Sequence, residues 1–297
     1  MALREIAYLM ERVLADPRRV RAFRTAADVV AALDGAERER LARAGTWREL
    51  PGVGESTSAV IAQAMAGRVP ERLATLRGQV RPLVTGGEDL LAALRGDLHS
   101  HTDASDGSAP LPQCRDAATA LGHEYLAITD HSPRLTVANG LSPERLLRQL
   151  DQLEQLNAAD GCRLLSGIEV DILPGGGLDQ QPELLGRLDV VVASVHSELR
   201  MDAPAMTRRM VAAVANPHTD VLGHCTGRLI AGGRGTRAPS SFDAEVVFEA
   251  CRQFGVAVEI NSRPERADPP DDLLALAVET GCLFSIDSDA HAPGQLE

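Results

Sequence analysis

No lysine occurs among the 297 residues; all 30 basic side chains are arginine. Chemistry that needs a lysine amine, Schiff-base formation above all, is therefore closed to these side chains. Cysteine pairs are missing too. Cys114, Cys162, Cys225, Cys251 and Cys282 are scattered, with no C-x-x-C spacing. That argues against a disulfide framework or a cysteine zinc site and suits a reducing, cytoplasmic setting. No apolar run approaches the roughly 18–20 residues of a membrane span. The N-terminus, MALREIAYLMERVLADPRR, lacks a charged-then-apolar signal layout, so no membrane partner is expected. Nor does a G-x-S-x-G mark a serine nucleophile.

What is present is an ordinary globular composition, 44% hydrophobic, at a length that suggests about two domains. The net charge of −12 is unevenly spread. Residues 1–95 hold 15 Arg against 12 acids, or +3, and residues 96–297 hold 15 Arg against 30 acids, or −15. An acidic body repels polyanions unless a basic appendage or bound cations offset its charge locally.

The first third reads as helical. Apolar residues recur at helical spacing over 3–15 and 20–33, with Asp16-Pro17 as a break, and a third run covers 36–44. Leu50-Pro51-Gly52-Val53-Gly54 is a tight glycine turn before a helix ending near Gly67. Residues 71–95 suggest more helix and a linker, with Thr85-Gly86-Gly87 placing the boundary near 86–96. The expected domains are 1–85 and 95–297.

From residue 96 the rhythm changes. Short β-rich runs fall at 95–100, 125–130, 163–171, 189–196, 220–224, 256–261 and 283–289. Helical stretches fill about 110–121, 142–158, 203–215, 241–254 and 270–280, while the piece between the third and fourth runs is mostly turn. Apolar strands alternating with helices imply parallel βαβ units, and seven of them a closed or nearly closed α/β barrel.

Metal-type ligands fall at the strand ends. His99 and His101 end the first strand, Asp130-His131 the second, Glu169 the third, His196 the fourth and His224 the fifth. Asp289 and His291 end the seventh, and Asn261, a poorer ligand, the sixth. Active sites of α/β barrels are built at these carboxyl ends. Residues i and i+2 on a strand share a face, so each paired set can converge on one interior point. A lone histidine is more often a surface or core residue than a ligand. Here six of the eight histidines share one structural position, which independent placement would not produce. His123 and His218 precede strands and belong at the opposite end. Asp103, Asp130 and Asp171 are candidates to orient ligand imidazoles.

HSHTDASDG, ITDHS, GIEVDIL, ASVHS, VLGHCTGR, EINSRPER and DSDAH, in this order, resemble the PHP (polymerase and histidinol phosphatase) superfamily over residues 95–291. The resemblance implies a distorted seven-stranded (β/α)7, TIM-like barrel around three divalent metal ions (Mn, Zn or Fe). His99, His101, Glu169 and Asp289 would hold the first and form the catalytic group. Glu169 would bridge to a second held by His196 and His224. Asp106, His131 and His291 would hold the third. RVRAFRTAADVV and ELPGVGESTSAVIAQAMAGRVP resemble the small helical domain of family-X DNA polymerases, the second being a helix-hairpin-helix. In that motif backbone N–H groups around glycines, here Gly52 and Gly54, meet a DNA phosphate without reading sequence.

Bacterial family-X polymerases place a palm between such domains. There is no room for one between about 80 and 96, so polymerisation is not expected, and without lysine neither is lyase activity. Relatives continue past the last D-x-H with another helix, so a C-terminal truncation at Glu297 stays open. The expected activity is phosphoester hydrolysis by a metal-bound hydroxide. Arg134, Arg228, Arg263 and Arg266, with Asn261, are candidate substrate contacts, since arginine suits bidentate phosphate binding. DNA is the first substrate reading, as a 3′–5′ exonuclease or 3′-end-processing enzyme in repair. A small-molecule phosphatase such as histidinol phosphatase is the alternative, and a non-catalytic module the third.

Overall fold

The computed structural model describes residues 2–81, 85–232 and 235–297. Residues 82–84, inside the expected linker, lie outside these. The chain divides into two units. One comprises residues up to 89 together with 292–295 and 297; the other comprises residues 90–291 and 296.

The first unit is helical: α1 (Ala2–Arg12), α2 (Pro17–Ala32), α3 (Gly35–Ala44), α4 (Glu55–Met65) and α5 (Glu71–Gln79). Leu3, Ile6, Ala7 and Met10 form one face of α1 and share a buried cluster with Phe23, Trp47 and Ile61. Asp16 separates α1 from α2 as the sequence suggests, its carboxylate accepting the N–H groups of Arg18 and Arg19. In the glycine turn, Gly52 has φ +86°, and a Cβ there would meet Thr25 Cγ2 at 2.8 Å. Only glycine fits both constraints. Thr57 Oγ1 accepts the Gly54 N–H at 2.9 Å, which closes the start of α4. The last residues of the chain complete this unit. Gly294 N–H donates to Glu11, itself forked by Arg24 at 2.6 and 2.7 Å, and Tyr8 donates to Glu297.

After α6 (Glu88–Ala93) come seven strands, all parallel and paired in sequence order. They are β1 (Gly96–Asp97), β2 (Tyr125–Ile128), β3 (Arg163–Asp171), β4 (Val190–Ser194), β5 (Val221–Leu222), β6 (Ala257–Asn261) and β7 (Phe284–Asp287). The connections carry α7 (Leu111–Leu121), α8 (Pro143–Asn157), the single turn α9 (Pro182–Leu185), α10 (Ala203–Val214), α11 (Ala244–Phe254) and α12 (Asp271–Thr280). Alternation along β4 sorts the core. Val191 joins the layer between sheet and helices with Met210 and Phe248, whereas Val190 and Val192 join Ala127 and Val221 in a separate apolar cluster.

β1 and β5 are shorter than their sequence runs, for a reason that matters to the site. Beyond Asp97, main-chain donors turn to side chains: Leu98 N–H to Asp287 (2.8 Å), His99 N–H to Asp97 (2.8 Å) and Ser100 N–H to Thr129 (3.0 Å). Beyond Leu222, the His224 N–H donates to Glu259. β1 and β7 share no ladder. Asp97 accepts the Ser288 N–H at 3.0 Å while Asp287 accepts that of Leu98, so two carboxylates clasp the seam. Above them His101 N–H bonds Ala290 O at 2.8 Å.

Candidate metal centre

Six imidazoles and three carboxylates converge at the carboxyl ends of the strands. His101 lies at the middle of the ring cluster, with centroids 4.2 Å from His291, 4.4 Å from His131 and 5.2 Å from His99. Glu169, 1% exposed, uses its two oxygens differently. Its Oε2 lies 3.3 Å from His99 Nε2 and 3.5 Å from His101 Nε2, and Asp289 Oδ1 stands 3.3 Å from His101 Nε2. Its Oε1 lies 3.1 Å from His196 Nε2 and 2.8 Å from His224 Nε2. Asp106 offers one oxygen to His131 Nε2 (3.5 Å) and the other to His291 Nε2 (3.4 Å). Eight of the nine candidate ligands fall in three overlapping groups, His101-Asp106-His131-His291, His99-His101-Asp289 and His131-Glu169-His196, and the ninth, His224, joins them through Glu169 at 2.8 Å. His123 and His218 lie before β2 and β5.

The residues fit divalent cations on their own chemistry. His101 is 1% exposed and neither ring nitrogen has a hydrogen bond; the same holds for Nε2 of His99 and Nδ1 of His196 and His224, while His131 Nδ1 stands 2.9 Å from Glu169 Oε2. Buried nitrogens are almost always paired, so a cluster of unpaired ones is a donor set suited to a cation. Burial, reinforced by His291 and His131, pushes His101 down to about 3, which leaves its imidazole neutral with a lone pair to share. At His196 burial is outweighed by Glu169 and Asp171, which raise it to about 9, so cation binding there displaces a proton.

The supporting carboxylates differ in what they hold. Asp171 accepts the His196 N–H at 3.1 Å and stands 3.5 Å from its Nδ1. Asp130 reaches no imidazole. It accepts Thr102 N–H and Oγ1, Ser105 Oγ and Gln149 Nε2, and so fixes the loop that presents Asp106. Asp103 is exposed. Sequence reasoning missed Glu259. Fully buried on β6, it lies 2.5 Å from His99 Nδ1 and accepts the His224 N–H, so one carboxylate orients members of two groups. The available signal was its position two residues before Asn261, on the inward face of a barrel strand.

Of the candidate substrate contacts, two reach the centre as cations. Arg266 Nε donates to Asp289 Oδ2 at 3.1 Å, and its Nη1 is buried without a hydrogen bond. Arg263 Nη1 lies 3.0 Å from His291 Nδ1 and donates to Asp289 O at 3.2 Å. Asn261 donates to Asp289 and Glu259, a supporting position. Arg228 Nε donates to the carbonyls of Arg266 and Ala267, and Arg134 is exposed on the loop after β2. Gly52 and Gly54 lie in the turn before α4, in the helical unit.

The barrel and its centre define the class. The PHP domain model matches residues 97–263, and the chain belongs to the PHP family, by class metal-dependent phosphoester hydrolases. A helix-hairpin-helix domain precedes it, matched over residues 1–69, and residues 70–96 between the two are too few for a polymerase palm. Among relatives, the chain is 40% identical over 202 residues to "DNA polymerase/3'-5' exonuclease PolX" of Bacillus subtilis (strain 168), covering 68% of this chain and 35% of that protein. It is 28% identical over 207 residues to "Probable phosphatase TTE1963" of Caldanaerobacter subterraneus, covering 66% of this chain and 75% of that one. The histidinol phosphate phosphatase of Lactococcus lactis, solved with zinc, L-histidinol and phosphate, shares the fold at TM-score 0.50 and 20% identity, over 67% of this chain and 87% of that one. Among the described residues no helix is long and apolar enough to cross a membrane.

Proposed function

We propose that the protein hydrolyses phosphoesters of DNA, as a 3′–5′ exonuclease or 3′-end-processing enzyme in repair, and does not polymerise. The observation that carries this reading is the union, in one chain, of a helix-hairpin-helix with a cluster of eight candidate metal ligands that His224 joins through Glu169. The five free cysteines, all buried, support a cytoplasmic setting.

In this reading His99, His101, Glu169 and Asp289 would hold one divalent ion, Glu169 with His196 and His224 a second, and Asp106, His131 and His291 a third. Such ions, Mn, Zn or Fe on this donor set, would lower the pKa of a water toward about 7 and neutralise phosphate charge. The protein's own groups do the rest. The neutral His101 ring supplies its lone pair at the middle of the cluster. Glu259 keeps the His99 ring facing Glu169. Arg266, with a buried donor to spare, and Arg263 beside it take the non-bridging phosphate oxygens. The turn at Gly52 and Gly54 meets a DNA phosphate; Thr57 Oγ1 holds the Gly54 N–H, so the Gly52 N–H is the one offered.

A small-molecule phosphatase is the second reading, favoured by relatives named as phosphatases that align over 75% and 78% of their length. One experiment separates the two. Full-length protein with Mn²⁺ is given 3′-labelled DNA and, separately, histidinol phosphate. DNA shortening that disappears in His101→Ala is expected. Phosphate release from histidinol phosphate with DNA left intact would transfer the assignment to the second reading.

A further inference from the structure

The loops that carry the candidate ligands are tied together in neighbouring pairs, each pair by one arginine from outside the centre. Arg209 of α10 is 1% exposed. Its Nε donates to the carbonyls of Ile172 and Leu173, both at 3.0 Å, on the loop after β3. Its Nη1 donates to Ser197 O at 2.8 Å on the loop after β4, and Nη2 reaches Ser197 Oγ at 3.2 Å. Ser197 follows His196, and Ile172 follows Asp171, which accepts the His196 N–H. His196 is therefore gripped from both sides by contacts that all lead to one guanidinium.

Arg145 of α8 repeats the device on the loops after β1 and β2. Its Nη1 donates to Asn139 O at 2.7 Å and Gly140 O at 2.9 Å, while Nη2 donates to Ala104 O. Ala104 lies two residues before Asp106, and Leu141 N–H returns to His131 O at 2.7 Å. Arg228, itself on the loop after β5, reaches only the loop after β6, through the carbonyls of Arg266 and Ala267.

Only arginine suits this task. A guanidinium offers five donors in a rigid fork and can satisfy carbonyls of two loops at once, whereas an ammonium is a single point. Main-chain carbonyls that a strand tip cannot pair are satisfied by a donor that has no lone pair of its own to compete for the cations.

We propose that Arg145 and Arg209 are positioning residues, each setting the affinity of one metal position: Arg209 that of His196 and His224, Arg145 that of Asp106, His131 and His291. The proposal rests on the metal-centre reading above. Neither residue touches a ligand side chain, so each acts through the loop it holds.

The test titrates full-length, chelator-stripped protein with Mn²⁺, reading free Mn²⁺ by electron paramagnetic resonance, with calorimetry in parallel. His196→Gln and Asp106→Asn identify which binding step belongs to which position. Arg209→Gln is expected to weaken the His196 step, and Arg145→Gln the Asp106 step, by roughly 10- to 100-fold, with the other steps within about twofold. Arg209→Lys, which keeps the charge but loses the fork, should not restore the lost affinity. Equal weakening of every step, or no change in either variant, overturns the proposal. If Arg209→Gln does not give a cooperative melt, the half-exposed Arg145 and the Arg209→Lys variant decide it. Absence of any Mn²⁺ binding by the unaltered protein would instead overturn the metal centre itself.

Discussion

Glu259 shows how much one side chain can hold. It sits 2.5 Å from a ring nitrogen of His99 and takes the main-chain N–H of His224, so members of two ligand groups depend on it. Glu259→Gln keeps the volume and an acceptor oxygen but removes the charge. Mn²⁺ affinity is expected to fall roughly 10- to 100-fold with little change in melting temperature, because outer partners tune ligand basicity more than they support the fold. Calorimetry on the stripped protein checks this, and an unchanged affinity would assign Glu259 a purely structural role. His101 is the counterpart at the centre. Its neutrality at pH 7 follows from burial among other rings. In AVEIN only the two-residue spacing to Asn261 marks Glu259 as inward-facing; its partners His99 and His224 lie 160 and 35 positions away, outside any local window.

The elements were legible in kind, and their ends were not. The helix and strand periods predict the all-parallel succession, and β3 falls where the pattern places it, at Arg163–Asp171. β1 shrinks to Gly96–Asp97 because its following donors bond to carboxylates and a hydroxyl instead of a neighbouring strand. Those partners come from residues as far as 189 positions away, which no local window contains. The clasp across β1 and β7 gives a prediction of its own. Asp97→Ala leaves the buried N–H of His99 without an acceptor, a loss of about 1–3 kcal/mol, and the part-buried N–H of Ser288 at a smaller cost. Part of this is offset by relief of Asp287, whose carboxyl is pushed up to about 8 by burial and then by the charges of Asp97 and Glu259. A net destabilisation of about 1–3 kcal/mol is expected in urea unfolding of the stripped protein.

At the scale of the whole molecule, the five cysteines report on packing. All are buried, and burial raises Cys162 to about 11 and, with Cys282 adding, Cys251 to about 12. Thiolate is scarce at pH 8, so Ellman's reagent should react with none of the five in the folded protein and with all five in guanidinium. The sign of the stability effect follows. Cys251 ionises more readily unfolded, near its ordinary value of 9, than folded. Its contribution is complete below pH 9 and is lost as pH rises from 9 toward 12. A melting temperature that climbed over that range in the unaltered protein, and not in Cys251→Ala, would contradict it.

The sequence by itself determined the chemistry: a lysine-free chain, a helical unit of small positive charge, and a strongly acidic barrel whose strand tips carry histidines and carboxylates. It could do so because side-chain period and strand ends are local properties. The tertiary structure alone decided how the groups are shared. It set Glu259 against His99 and His224, turned Asp130 from the imidazoles to a loop, and engaged Arg228 with main-chain carbonyls. It also joined residues 292–295 to the helical unit. These outcomes depend on contacts between residues far apart in sequence, and such contacts exist only once the barrel has closed.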